Sequence, residues 1–181
     1  GAAGGVLAGL IGGLAWSAFA PRAVYVVVSQ GSADVVNAET SAFIAADAWY
    51  CLIGVIGGAV IGLAGYLIGV RRYGPGPMAA VLLCSVAAAV TARAIGEHQG
   101  LARFNHQLLT SPAGTRLHAP LALAGDTSVA FWPTRSSLPA VASWPLAACL
   151  VAGGIVLIAV LRDRSAARYE GQDEIPQPFP S

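Results

Sequence analysis

The sequence predicts an all-α transmembrane fold: a four-helix membrane bundle with a small extracytoplasmic β-rich cap formed by two loops. Three observations carry this expectation. The 181 residues are 56% hydrophobic and 10% charged, with mean hydropathy +0.66. Soluble domains carry about a quarter charged residues, so this chain has too few polar groups to cover a soluble surface. Apolar runs at 2–20, 48–70, 78–95 and 144–161 approach the length that crosses a bilayer core, about 20 residues at ~1.5 Å rise each. Between them lie two polar segments, 21–47 and 96–137, with strand-like stretches.

The first span, 2–20, places Gly5, Gly9 and Gly13 at four-residue spacing. Glycines four apart share a helix face and let another helix backbone approach closely. Trp16 and Phe19 near its end fit an interfacial aromatic belt. In the first polar segment, 23–29 (AVYVVVS) is β-branched and aromatic, which favours a strand. Gln30-Gly31-Ser32 reads as a tight turn, with 33–37 returning antiparallel. Thr40 or Ser41 then caps a helix that runs into the second span. Asp47 falls on that helix at the water boundary.

The second span, 48–70, carries a matching stripe of Gly54, Gly58 and Gly62. Its expected partner is the Gly5–Gly9–Gly13 stripe, which would close both faces within one chain. The alternative leaves these faces for neighbouring subunits. Arg71-Arg72 and the turn Gly74-Pro75-Gly76-Pro77 end the run, since two Gly-Pro steps cannot continue a helix. The third span, 78–95, has Arg93 in its last turn and Glu97 four residues on. At that spacing the two form an ion pair, which contributes about 0.3–0.5 kcal/mol when exposed.

The second polar segment opens with a mixed stretch that is partly helical. Apolar stretches at 115–123 and 127–132 then predict a second hairpin, with Pro120 marking an edge or an interruption. The fourth span is 144–161, in a helix that begins as early as Leu138 and carries Pro145. The tail, 162–181, is charged and then Pro-rich, and reads as an extended cytoplasmic segment. Arg71, Arg72, Arg162, Arg164 and Arg168 lie close to membrane ends. By the positive-inside rule the turn and both termini are cytoplasmic, in a multi-pass plasma-membrane topology.

Little in the sequence points to chemistry. Cys51, Cys84 and Cys149 lie in apolar runs without a CxxC pair, and read as small buried apolar groups. A Cys51–Cys149 disulfide is the alternative. His98, His106 and His118 match no ligand spacing, so no metal and no cofactor is expected. With no GxSxG and no P-loop, no catalytic residue is assigned and the chain is read as a non-enzyme. A net charge of +1 without a basic patch argues against nucleic acid.

Several stretches together resemble a family of small actinobacterial membrane proteins that share a domain of unknown function. They are 16–22 (WSAFAPR), Glu39 with Asp47-Ala48-Trp49, the turn Gly74-Pro75, and Trp132-Pro133 ahead of 144–150 (WPLAACL). The resemblance spans most of 10–160. It implies four spans in an actinobacterial plasma membrane and no particular activity.

The functional expectation is an accessory or assembly subunit of a larger respiratory or cell-envelope complex. Its partners are the bilayer and other membrane subunits. The interfacial polar candidates are Asp47, Arg93 and Glu97. One alternative is a small oligomeric transporter or channel lined by these three. Another is an envelope sensor using the outer cap, with His98, His106 and Asp126 as its first candidates.

Overall fold

The computed structural model describes residues 2–29, 32–35, 41–121, 123 and 137–173. Helix α1 (Ala2–Phe19) leads to strands β1 (Val24–Ser29) and β2 (Ser32–Val35). Helix α2 (Ser41–Gly65) continues through a π-helical turn, Tyr66–Val70, into the short α3 (Arg71–Tyr73). Then follow α4 (Met78–His98), α5 (Leu101–Thr110), β3 (Arg116–His118) and the long α6 (Leu138–Asp173).

Among the described residues, three stretches are long and apolar enough to cross a membrane: Ile44–Tyr73, Met78–Thr110 and Leu138–Ser165. Helix α1 is also apolar but shorter. Its 18 residues rise about 27 Å, slightly less than the ~30 Å hydrocarbon core. The large apolar side chains of all four long helices lie mostly on the outside. Leu7, Ile11, Val60, Ile68, Leu83 and Leu150 are all exposed. In water such a surface would be a large aggregation patch; against lipid it is the expected exterior.

The glycine stripes are both filled, but not by each other. The stripe on α1 packs on α4. A Cβ on Gly5 would strike the Cys84 carbonyl and one on Gly9 the Ala88 carbonyl, while one on Gly13 would lie 2.6 Å from the Ala92 carbonyl oxygen. The stripe on α2 packs on α6. A Cβ on Gly54 would lie 2.7 Å from Trp144 Cδ1, one on Gly58 3.0 Å from Ala147 Cβ, and one on Gly62 3.0 Å from Ala148 Cα. The expected pairing of Gly5–Gly9–Gly13 with Gly54–Gly58–Gly62 is therefore wrong. Numbers rise together along each interface, so both pairs are parallel. Antiparallel α1 and α2 meet instead through aromatic side chains, as described below.

The cap is one antiparallel sheet in the order β2-β1-β3. The β1–β2 hairpin is as expected, pairing Tyr25 with Val35 and Val27 with Ala33, with an irregularity between Val27 and Ser29. The second hairpin needs correction. Its first arm contributes only β3, which pairs with β1, setting Leu117 opposite Tyr25. Its other arm, 127–132, lies outside the described residues. One sheet thus draws on both polar segments. The mixed stretch supplies α5, whose Phe104 meets Tyr25 edge-to-face at 6.0 Å.

Helix α6 begins at Leu138, as expected, and contains Pro145. Proline cannot donate to the Val141 carbonyl one turn back. The tail expectation holds only in part: 162–173 is helical rather than extended. The Pro-rich end, 174–181, lies outside the described residues.

Candidate functional site

Arg93, Glu97 and Ser137, three of the four buried polar residues among those described, lie at the cap end of the bundle, and Ser85 lies nearer the other end of α4. Among the described residues, Trp16 and Trp144 are the largest fully buried side chains, followed by Tyr50. Trp16 was expected in an interfacial belt, but it lies in the core. It can do so because Gly96 stands opposite: a Cβ there would run into the six-membered ring of the indole. The Trp16 indole N–H donates to the Ala46 carbonyl at 2.9 Å. Its ring meets Tyr50 edge-to-face at 5.1 Å. The Tyr50 hydroxyl donates to the Ala89 carbonyl at 2.7 Å. These contacts tie α1, α2 and α4 together. Trp144 fills the remaining space from α6, lying against Gly12 of α1 and Gly54 and Gly57 of α2.

Arg93 and Glu97 lie inside this end of α4. Arg93 is 3% exposed and Glu97 8%, and Arg93 Nε donates to Glu97 Oε1 at 2.8 Å. The sequence places the pair near water with a small energy. The structure removes both groups from water, which changes the energetics. The pair as a whole gives little net stability, because two charges are desolvated. Removing one member leaves the other charged and buried, at a cost of about 3–5 kcal/mol. Glu97 also sits in the last turn of α4, where the helix dipole disfavours a carboxylate. Arg93 one turn earlier offsets that.

Asp47, the third polar candidate, is half-buried on α2, beside the Ala46 carbonyl that accepts the Trp16 bond. All three candidates thus belong to the cap end of the bundle. The histidines do not converge. His98, His106 and His118 are exposed on α4, α5 and β3, and Asp126 lies outside the described residues. Among the described residues no three His, Cys, Asp or Glu side chains are grouped to hold a metal. Cys51, Cys84 and Cys149 are free thiols, so the disulfide alternative is not formed.

Sequence reasoning missed the aromatic half of the site: Trp16, Tyr50 and Trp144, with Gly12, Gly57 and Gly96 as their seats. One signal was present. Gly96 is a glycine inside a helical stretch between Arg93 and Glu97, and a helix interior tolerates glycine at a cost unless something must come close. The chain matches no family model, no curated protein and no solved structure.

Proposed function

We propose that the chain is a multi-pass plasma-membrane protein that works without catalysis, as an accessory or assembly subunit packed against other membrane subunits. The α1 and α2 stripes no longer support this reading, since both are filled internally. The observation that carries it is on α6. A Cβ on Gly153 or Gly154 would meet nothing within 4 Å. Glycine in a helix interior costs about 1 kcal/mol relative to alanine. At the stripes of α1 and α2 that cost is offset by close approach; at Gly153 and Gly154 no described residue comes that close. Leu146, Leu150 and Leu157 around the notch are exposed, Leu150 by 74%. This is the surface a partner's transmembrane helix would enter.

The test is site-specific crosslinking from Leu150 in intact membranes, followed by extraction in mild detergent. A stoichiometric crosslink that disappears in Gly153→Leu/Gly154→Leu supports the reading. A chain recovered only as a monomer, with no crosslink, refutes it. The buried Arg93–Glu97 pair favours a second reading, a small oligomeric transporter or channel, because ionisable groups at membrane depth commonly mark pathways. If so, Glu97→Gln with Asp47→Asn changes a solute flux in vesicles; unchanged fluxes remove it.

A further inference from the structure

The cap sheet has one covered face and one open face. Side chains alternate along a strand, and residues directly opposite across a ladder share a face. Tyr25 of β1 and Leu117 of β3 therefore lie on one side, together with Val27. Val27 and Leu117 are buried there, and Tyr25 packs on Phe104 of α5. Val24 and Val26 lie on the other side. On β3, His118 stands opposite Val24 and Arg116 opposite Val26; on β2, Asp34 stands opposite Val26. Asp34, Arg116 and His118 are exposed, and the two valines are half-buried. Asp34 and Arg116 make no ion pair among the described residues. Strands stand ~4.8 Å apart, so the two charges flank Val26 with about 10 Å between them. The register thus lays one row across the open face: acid, valine, base.

We propose that this face pairs with the same face of a second copy of the chain. A two-fold interface must be complementary to itself, and the charge row meets that condition in one orientation. About an axis between the two faces and parallel to β1, Val26 meets Val26, Asp34 meets the second copy's Arg116, and Arg116 meets its Asp34. About an axis across the strands, Asp34 would meet Asp34 and Arg116 would meet Arg116, which like-charge repulsion disfavours. The charges therefore choose both the occupant and its alignment, with the two β1 strands parallel and the sheets stacked ~10 Å apart. The face is small beside the ~800 Å² per partner of a standard interface. The pairing accordingly rests on the reading that the chain spans a membrane, since caps held on one membrane surface meet at high effective concentration.

The test uses the full chain in membranes, with its own thiols replaced and Val26→Cys introduced on the axis. A short bis-maleimide should yield a dimer of twice the chain mass. Asp34→Arg and Arg116→Asp each turn both cross-pairs from attraction to repulsion and lower the dimer about tenfold. Expressed together with different tags, these two single variants should pair with each other, because each then offers the charges the other needs; a mere folding defect would not be repaired in this way. Arg103→Asp, an exposed charge on α5 against the other face of the sheet, leaves the dimer unchanged. Absence of the Val26→Cys dimer overturns the proposal, as does full yield in either single variant, failure of the two variants to pair with each other, or an equal loss in Arg103→Asp. A crosslink from Leu150 without a Val26→Cys dimer overturns the cap pairing and leaves the α6 reading standing. A chain that does not float with vesicles overturns the membrane reading and the pairing together.

Discussion

Arg93 and Glu97 show how far a spacing rule reaches at the scale of single residues. Four-residue spacing correctly pairs them. It carries no information on burial, because burial depends on which side chains from other helices arrive, among them Trp16, packed on Gly96 between the pair. Burial sets the prediction. Arg93→Met alone leaves a buried carboxylate and lowers stability by about 3–5 kcal/mol. Arg93→Met combined with Glu97→Met recovers most of that loss, because an apolar pair has no desolvation cost. Thermal unfolding in detergent measures both, and an additive double variant would refute the buried-pair account. Gly96→Leu adds volume against the Trp16 ring and costs at least 1–3 kcal/mol by overpacking. Trp16 fluorescence reports the displacement.

Among elements, the helices were legible and their partners were not. Hydropathy locates the apolar cores of the four long helices, because each must satisfy its backbone internally, but it misses the end of α6, which runs on to Asp173, well past the expected end of the span at 161. The glycine stripes on α1 and α2 were equally legible as close-packing faces. A stripe, however, states only that some backbone comes near. Cys84, Ala88 and Ala92, and Ala147 and Ala148, are small but ordinary residues in Ala-rich helices, so no pattern singled them out as the opposing surfaces. Likewise β3 is three residues long and its partner β1 lies some ninety residues earlier, beyond the reach of local pattern. The element-scale prediction separates filled from open glycines. Gly9→Leu and Gly58→Leu each disrupt a helix pair and lower the melting temperature sharply. Gly4→Leu, which meets nothing within 4 Å, leaves it within a degree or two. Equal effects at the three sites would contradict the packing.

The whole molecule has two distinct ends. The sheet and α5 stand at one, with the buried polar cluster beneath them. The turn after α3 and the far end of α6 stand at the other, where Arg71, Arg72, Arg162 and Arg164 are exposed. A bilayer with an anionic cytoplasmic leaflet favours the arginine end inside. In a chain whose own thiols are replaced, Ser32→Cys and Ala113→Cys should therefore react with an impermeant maleimide added outside intact cells. Tyr73→Cys should react only after lysis. Labelling of Tyr73→Cys from outside would invert the orientation.

The parallel pairing of α1 with α4 and of α2 with α6 has a consequence for synthesis. A ribosome delivers α1 and α2 first, and neither stripe finds its surface in the other. The glycine face of α1 waits for α4, and that of α2 waits for α6, the last helix made. On the membrane reading proposed above, the first half would be inserted with both faces open to lipid or to an insertase, and assembly would close only once α6 is made. Halves cut in the turn, 1–75 and 76–181, should therefore recombine when expressed together, and the first half alone should be degraded. Pulse-chase with the halves expressed singly and jointly reads this directly, and a long-lived solitary first half would show that its stripes close without the second.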